Sequence, residues 1–313
     1  MIDLIIPHYN NRKGLARTLD SINYHIFKVT VVDDCSTCGS FVSDKKFNWL
    51  SALVNVGPGM ARQHGLDCTS RDWVMFIDAG DIFTSVEAQE GIAACIAANP
   101  QLNFISFPYF YNGKITTETD NRMHGKVYKR EFLDDYKITF SRDASYLNED
   151  VGFNRTCRLC AEASGEPMKF INLPVIEWIE EPNSITQKNN KACLYKDQTR
   201  ALSLTSIHTI DILRRNHIDE TGEINQIALS LYYWFIRTAA ERPEYLSDAW
   251  AGARIFYKEY EKEIDPNKLL FGNAYMKKCL NYRGKIRFTI NILRFTHDIL
   301  TNENLPTNYL TFS

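Results

Sequence analysis

Long apolar runs are missing from this chain. No uninterrupted hydrophobic stretch reaches the roughly 18 residues that a bilayer span needs, and no basic start leads into a short apolar segment. Neither a membrane span nor a secretory leader is expected, and the chain reads as soluble and cytoplasmic. A surplus of charge is missing too: 36 basic against 38 acidic side chains leave a formal net charge of -2. No global attraction to nucleic acid or anionic membrane is built in, although a local patch fits within that balance. Internal repeats, low-complexity tracts and the G-x-G-x-x-G dinucleotide fingerprint are all absent, and the last absence argues against a nicotinamide dehydrogenase. With 44% hydrophobic residues over 313 positions, the chain can bury a core in one large domain or two modest ones, which excludes a disordered or fibrous protein.

The eight cysteines form no evident framework. Cys35/Cys38 and Cys157/Cys160 have C-x-x-C spacing, but more than a hundred residues separate the pairs, far more than a zinc ribbon closes over. Free thiols are expected. Asn154-Arg155-Thr156 is a formal glycosylation acceptor and reads as an accident.

Ile2 to Pro7 is an apolar run followed by His8, Tyr9, Asn10 and Asn11, the pattern of a buried strand delivering polar residues to its mouth. Leu15, Leu19 and Ile22 recur at helical spacing, and a second buried run from Phe27 to Val32 ends in Asp33-Asp34-Cys35-Ser36. Together they predict a parallel, right-handed βαβ unit. A third strand is expected over Leu50 to Val54. Asn55-Val56-Gly57-Pro58-Gly59 then leads into a helix from about residue 60 carrying Arg62. Such glycines either admit a phosphate to the helix N-terminus or make a plain tight turn.

The run Val74 to Ile77 ends abruptly at Asp78-Ala79-Gly80-Asp81. Two acids at the carboxyl end of a buried strand can hold a hard divalent cation, or can be a turn of solvated carboxylates. A helix over Ser85 to Ala98 follows, then two extended segments around Asn112-Gly113, a hairpin signal. Such a ribbon would help wall a site, and His124 to Arg130, which mixes basic and aromatic residues, reads on its own as a surface strand. Glu149 and Asp150 stand at a predicted helix start, where acids also belong for structural reasons alone. Two short strands are expected around Pro174. Beyond about Lys188 helical spacings dominate (Leu202, Ile210, Leu213; Ile227, Leu231, Phe235), and Lys277, Lys278, Arg283, Lys285, Arg287 and Arg294 make a basic segment interleaved with Tyr282, Phe288 and Phe295. That segment is a solvated helix face, or a surface for an anionic acceptor or a membrane.

Taken in order, the first 186 or so residues resemble family 2 of the nucleotide-sugar glycosyltransferases. Ile5-Ile6-Pro7-His8-Tyr9-Asn10 looks like the family's opening strand and loop. Val32-Asp33-Asp34-Cys35-Ser36-Thr37 resembles its V-D-D-x-S-T element, and Asn55 to Arg62 its N-x-G-x-x-x-A-R segment. Phe76 to Asp81 is similar to its D-x-D motif. Lys126 to Leu133, followed by Asn148 to Phe153, is similar to the acceptor-side stretch that ends in an E-D pair. The resemblance implies an α/β GT-A fold over residues 1–188, Rossmann-like, with a mostly parallel sheet and helices on both faces. Residues 189–313 are then a helical extension serving as an acceptor or partner surface.

The resemblance also implies a donor site of Pro7, Tyr9, Asn10, Asp33, Asp34, Asn55, Gly57, Arg62 and Asp78. In it the paired Asp33 and Asp34 hold base and ribose, and Arg62 faces the diphosphate. Asp81, helped by Asp78, would bind Mn2+ or Mg2+. Lys126, Tyr128 and Trp178 would lie on the acceptor side, and Asp150 would be the general base backed by Glu149. Gly80 and Cys38 depart from the family pattern, each standing where Asp is common. The chemistry expected is inverting transfer of a hexosyl or pentosyl group, from a UDP-sugar first of all, to a glycan or glycoconjugate hydroxyl. Hydroxylated bases of phage duplex DNA are an alternative acceptor, a peripheral membrane contact would suit the basic segment, and an inactive nucleotide-sugar-binding module is the non-catalytic reading.

Overall fold

Aliphatic residues with no polar interruption on either face dictate the centre of the sheet. In the computed structural model, β1 (Ile2–His8) is buried along its whole length and pairs in parallel with β2 (Phe27–Asp33), from Ile2 opposite Phe27 to His8 opposite Asp33. The structure describes residues 1–37, 46–116, 122–144, 146–180, 191–265, 268–269, 292–306 and 309. They divide into two units, Met1–Ser184 and Ile185–Ser313, so the border expected at residue 188 lies outside the described residues.

In the first unit, β3 (Phe47–Ser51), β4 (Trp73–Phe76), β6 (Phe104–Ser106), β9 (Lys126–Lys129) and β10 (Lys169–Phe170) complete a seven-stranded sheet of order β10-β6-β9-β4-β1-β2-β3. All its pairings are parallel except those of β9, which runs antiparallel to both β4 and β6. The third strand ends at Ser51, not at Val54. Its register exhausts β2 at Asp33, and the apolar Leu53 and Val54 are left outside in the following loop.

A second sheet of order β5-β11-β7-β8 joins β5 (Ile82–Phe83), β11 (Ile176–Trp178), β7 (Tyr109–Tyr111) and β8 (Lys114–Ile115). Asn112 and Gly113, both at positive φ, make the two-residue turn that the sequence predicts there.

Helices cover both faces of the large sheet. On one face α1 (Arg12–Asp20) and α3 (Val86–Ala98) lay Leu15, Leu19, Ala88 and Ile92 against Ile2, Leu4 and Ile6. Asn11 and Ser85 cap them, accepting the amides of Gly14 and Ala88. On the other face α2 (Pro58–Asp67) packs on β1 and β2, and α5 (Glu149–Ala163) docks through Phe153. That ring stacks on Phe140 at 4.2 Å and meets Phe76 and Tyr128 edge-on at 6.0 and 5.4 Å. α4 (Arg130–Asp135) follows β9 directly.

The second unit contains α6 (Lys191–Arg215), α7 (Thr221–Glu241), α8 (Leu246–Glu259) and α9 (Ile292–Thr301). Its core is aromatic: Phe295 lies 4.9 Å from Phe235 and 5.6 Å from both Trp250 and Tyr257. Among the described residues, no helix is long and apolar enough to cross a membrane.

Phe153 fastens α5, and with it the Glu149–Asp150 turn, to the sheet. Phe153→Ala should therefore destabilise the first unit by about 3–5 kcal/mol in chemical denaturation, through lost burial and the cavity left behind.

Candidate active site

The carboxyl ends of β1 and β2 bring Pro7, Tyr9, Asn10, Asp33 and Asp34 to one mouth of the sheet, and the loop after β3 adds Asn55 and Gly57. The loops are stitched together. Asn10 N donates to Ser36 Oγ at 2.9 Å, and Asn10 Oδ1 accepts Thr37 N at 2.8 Å. Asp34 differs from its expected part as a direct nucleoside ligand. Its two carboxylate oxygens accept Val56 N at 2.7 Å and Gly57 N at 2.8 Å, while Asn55 Nδ2 donates to its carbonyl at 3.0 Å. Buried Asp34 thus consumes the very amides that the glycine turn would offer to a phosphate, and holds the loop instead. Asp33 keeps a lighter load, accepting Ser36 N at 3.3 Å. Beside it His8 is buried, which lowers its pKa against the pull of the Asp33 charge and favours the neutral ring.

After β4 the chain turns tightly through Asp78-Ala79-Gly80-Asp81, closed by Asp81 N donating to Asp78 O at 3.1 Å. α1 grips this turn from outside. Asn11 Nδ2 donates to Ala79 O at 2.9 Å, and Arg17 donates to Gly80 O from Nε at 3.0 Å and from Nη2 at 2.8 Å. The Thr18 hydroxyl accepts Gly80 N at 2.9 Å and donates to Asp81 O at 2.7 Å. Gly80 has φ +126°, a backbone that side chains of L residues rarely adopt. The departure from the family motif at this position therefore has a conformational cause, and a carboxylate there would be strained.

Asp81 is enclosed and accepts Ile179 N at 3.0 Å. Opposite it stands His124, whose Nε2 lies 2.9 Å from Asp81 and 3.9 Å from Asp78. Its neighbour Gly125 (φ +68°) passes so near β6 that a Cβ would sit 2.3 Å from Phe107 O. The ligand atoms of Asp78, Asp81 and His124 all lie within 4.8 Å of one another, an O, O, N set that suits Mn2+. Burial pushes the Asp81 carboxyl up. Burial also opposes the charged His124 ring, but the hydrogen bond to Asp81 and the charges of Asp81, Asp78 and Asp150 prevail and raise its pKa. The closest atoms of Asp81 and His124 stand 2.9 Å apart. His124 is the site residue that sequence reasoning missed. Its signal was a His-Gly pair opening the strand β9, which runs antiparallel to β4 and so begins where β4 ends.

Arg62, on α2, is a correction. In place of an open diphosphate contact, its guanidinium is 3% exposed and donates to Asp78 Oδ1 at 2.6 Å and to Glu149 Oε1 at 2.8 Å. Desolvation works against this charge, but Asp78, Glu149 and Asp150 hold it on. For Asp78, desolvation is outweighed by Arg62 and His124, and its pKa falls. Burial first, then the Asp150 charge, push Glu149 up to about 7 against the opposing pull of Arg62. Asp150 is half-buried, with Oδ1 accepting Val151 N at 2.8 Å and Oδ2 accepting Met123 N at 3.3 Å. The backbone that presents His124 therefore also steadies Asp150.

Of the residues expected to face an acceptor, Trp178 stacks on Tyr111 at 4.2 Å and on His124 at 5.1 Å, with the Arg122 guanidinium 5.0 Å from its ring. Lys126 and Tyr128 are corrections. Lys126 is buried, and its ammonium donates to the carbonyls of Arg122 and His124. Tyr128 is buried in the aromatic core, stacked on Phe104 at 5.0 Å, with its hydroxyl bonded to Asn154 Oδ1. The sequon asparagine is thus an interior residue.

Cys35, Cys68, Cys95, Cys157 and Cys160 are free thiols, and burial pushes Cys160 up to about 12. Cys38 and residues 277–287 of the basic segment lie outside the described residues, and Arg294 pairs with Asp298 at 3.5 Å.

Two outcomes follow from these charges. Folded Glu149 keeps its proton to about 7 while the unfolded group loses it near 4.5, so its contribution to stability is complete below the lower value and is lost as pH climbs through the higher one. A pH series of denaturation curves should show that decline, and Glu149→Gln should flatten it. Asp81 and His124 must both be deprotonated to bind a cation, and the pKa of each is raised, so Mn2+ affinity measured by calorimetry should rise with pH, by up to about tenfold per unit for each proton released. His124→Ala should weaken Mn2+ binding.

Residues 3–157 match the family model described as glycosyl transferase family 2. The chain is 30% identical over 115 residues to an uncharacterized glycosyltransferase of Haemophilus influenzae, a match covering 34% of this chain and 38% of that protein. It is 28% identical over 102 residues to the amylovoran biosynthesis glycosyltransferase AmsB of Erwinia amylovora, covering 29% and 34%. The chain thus spans little more than a third of these curated relatives. Among solved structures, S. aureus TarS 1–349 in complex with UDP-GlcNAc superposes with a TM-score of 0.56 at 17% identity, over 90% of this chain and 88% of that one. Mannosyltransferase PcManGT from Pyrobaculum calidifontis, in complex with GDP-Man and Mn2+, does so with 0.51 at 16% identity, over 96% and 84%. Strands ending in acids, an Asp78–Asp81 turn facing a helix that opens on Glu149-Asp150, and the matched family model agree: the chain belongs to glycosyl transferase family 2 and carries the GT-A fold.

Proposed function

We propose that the protein transfers a hexosyl or pentosyl group from a nucleotide-sugar, a UDP-sugar first of all, to a hydroxyl of a polysaccharide or glycoconjugate, with inversion at the anomeric carbon. The observation that carries this reading is the linkage of Asp78 to Glu149 through one enclosed arginine, at 2.6 and 2.8 Å. It ties the candidate cation site to the helix start bearing Asp150. The UDP-GlcNAc complex of TarS supports the choice of donor, and the Mn2+ complex of PcManGT supports a cation.

Asp78, Asp81 and His124 would hold Mn2+ or Mg2+, and such an ion neutralises a departing diphosphate. Asp33 is left to recognise base or ribose, while Asp34 keeps the loop in shape around it. Asp150 takes the proton from the incoming acceptor hydroxyl, and Glu149, tied to Arg62, orients the turn that presents it. Inversion follows from a single carboxylate base with no nucleophilic side chain assigned opposite it. The stacked faces of Trp178 and Tyr111 offer the acceptor sugar an apolar wall.

The test is Asp150→Asn. Transfer, or hydrolysis of a bound nucleotide-sugar, should fall by about 100- to 10,000-fold while donor affinity is retained. Undiminished turnover would remove Asp150 from its role.

A further inference from the structure

Large apolar side chains left in water raise the question of what covers them, and around the donor mouth they are gathered. Tyr9 is 50% exposed, Leu53 96%, Val54 63% and Tyr146 48%. Each stands on a loop drawn to the Asp33–Asp34 end of the sheet. Tyr9 precedes Asn10, which is stitched to Ser36 and Thr37, and the Leu53 carbonyl accepts the Cys35 thiol at 3.7 Å. Tyr146 comes from much further along the chain. Its hydroxyl lies 2.8 Å from Asn55 Oδ1 and 2.9 Å from Asn55 O, a contact across 91 residues. Asn55 in turn donates to the Asp34 carbonyl. Burial, with Asp34 and Tyr9 nearby, raises the Tyr146 pKa, in keeping with all three standing at this end of the sheet. Two residues after Tyr146 comes Asn148, the left-handed residue from which the Glu149–Asp150 helix starts.

A nucleobase is apolar on both faces and polar at its edge, and an opening with an aromatic and aliphatic rim over a carboxylate floor matches that shape. Phosphates would gain nothing from such a rim. We propose that the Tyr146 ring is a wall of the slot for the donor's nucleobase, and that its hydroxyl straps this slot to the segment carrying Asp150. Tyr146 is then a positioning residue: base recognition and placement of the general base share one side chain. The inference rests on the nucleotide-sugar reading above.

UDP, GDP, dTDP and CMP are titrated by calorimetry, with Mn2+ present, into wild type, Tyr146→Ala and Tyr146→Phe, with inorganic pyrophosphate as the ligand that lacks a base. Tyr146→Ala should weaken the preferred nucleotide by about tenfold or more, the loss of one base–aromatic stack, and leave pyrophosphate binding as in wild type. Tyr146→Phe should hold nucleotide affinity within about threefold, because the ring remains. It should nonetheless slow hydrolysis of saturating UDP-GlcNAc or GDP-Man, whichever matches the nucleotide bound. Should Tyr146→Ala not fold, Tyr146→Leu takes its place. Nucleotide affinity unchanged in the ring-deleted variant, or lost equally for nucleotide and pyrophosphate, overturns this inference alone. Failure of every nucleotide to bind wild type overturns the donor reading and this inference with it.

Discussion

A single enclosed guanidinium sets the terms for this site. Arg62 leaves water only because Asp78 and Glu149 meet it from two sides, Glu149 buried with it and Asp78 reaching in from a partly exposed turn. Removing one member of such a buried set leaves an uncompensated charge, which is far costlier than the net worth of the contacts. α2, the turn after β4 and the start of α5 therefore keep their separations as a unit. The arginine spends its charge on two carboxylates of the protein and fixes the distance between them.

Charge bookkeeping around the cation group follows the same logic. Asp78 is kept ionised by Arg62, while, against the effect of burial, the charges of Asp81 and Asp78 raise the pKa of His124, 2.9 Å from Asp81. With Asp78 ionised the three groups carry a net negative charge, which Arg62 offsets from 2.6 Å and which a divalent ion would offset further. α1 contributes by rigidity alone: its hydrogen bonds to the carbonyls of Ala79, Gly80 and Asp81 leave the turn no alternative path.

Much of the framework was legible in the residues. Strands buried on both faces produce unbroken apolar runs, so β1, β2 and β4 announce themselves, and acids placed just beyond such runs fall at the ligand-binding end of the sheet. Asn112-Gly113 specified its own turn. What could not be read was whatever depends on direction or on a distant partner. His124 becomes a candidate ligand only because β9 runs against its neighbours. Lys126 and Tyr128 alternate like surface residues yet are covered on both sides, since a strand inserted between β4 and β6 has no outer face. Leu53 and Val54 look like strand residues because hydrophobicity does not reveal where a neighbouring strand stops. Asp34 and Arg62 were expected to face a ligand, and their partners came from distant loops that no local pattern reveals: each is bound to the protein itself.

The smaller sheet has a consequence for how such an enzyme could diversify. β7 and β8 form a hairpin that pairs with β11 and nowhere with the seven-stranded sheet, while every group assigned to donor chemistry hangs from the larger sheet or its flanking helices. Insertions at the hairpin tip, between Tyr111 and Lys114, would enlarge a surface tied only to β11 and leave the large sheet as it is. Exchange of the enclosed Tyr109 ring is a different matter, because it lies 4.8 Å from His124 and any change there is passed on to the cation group.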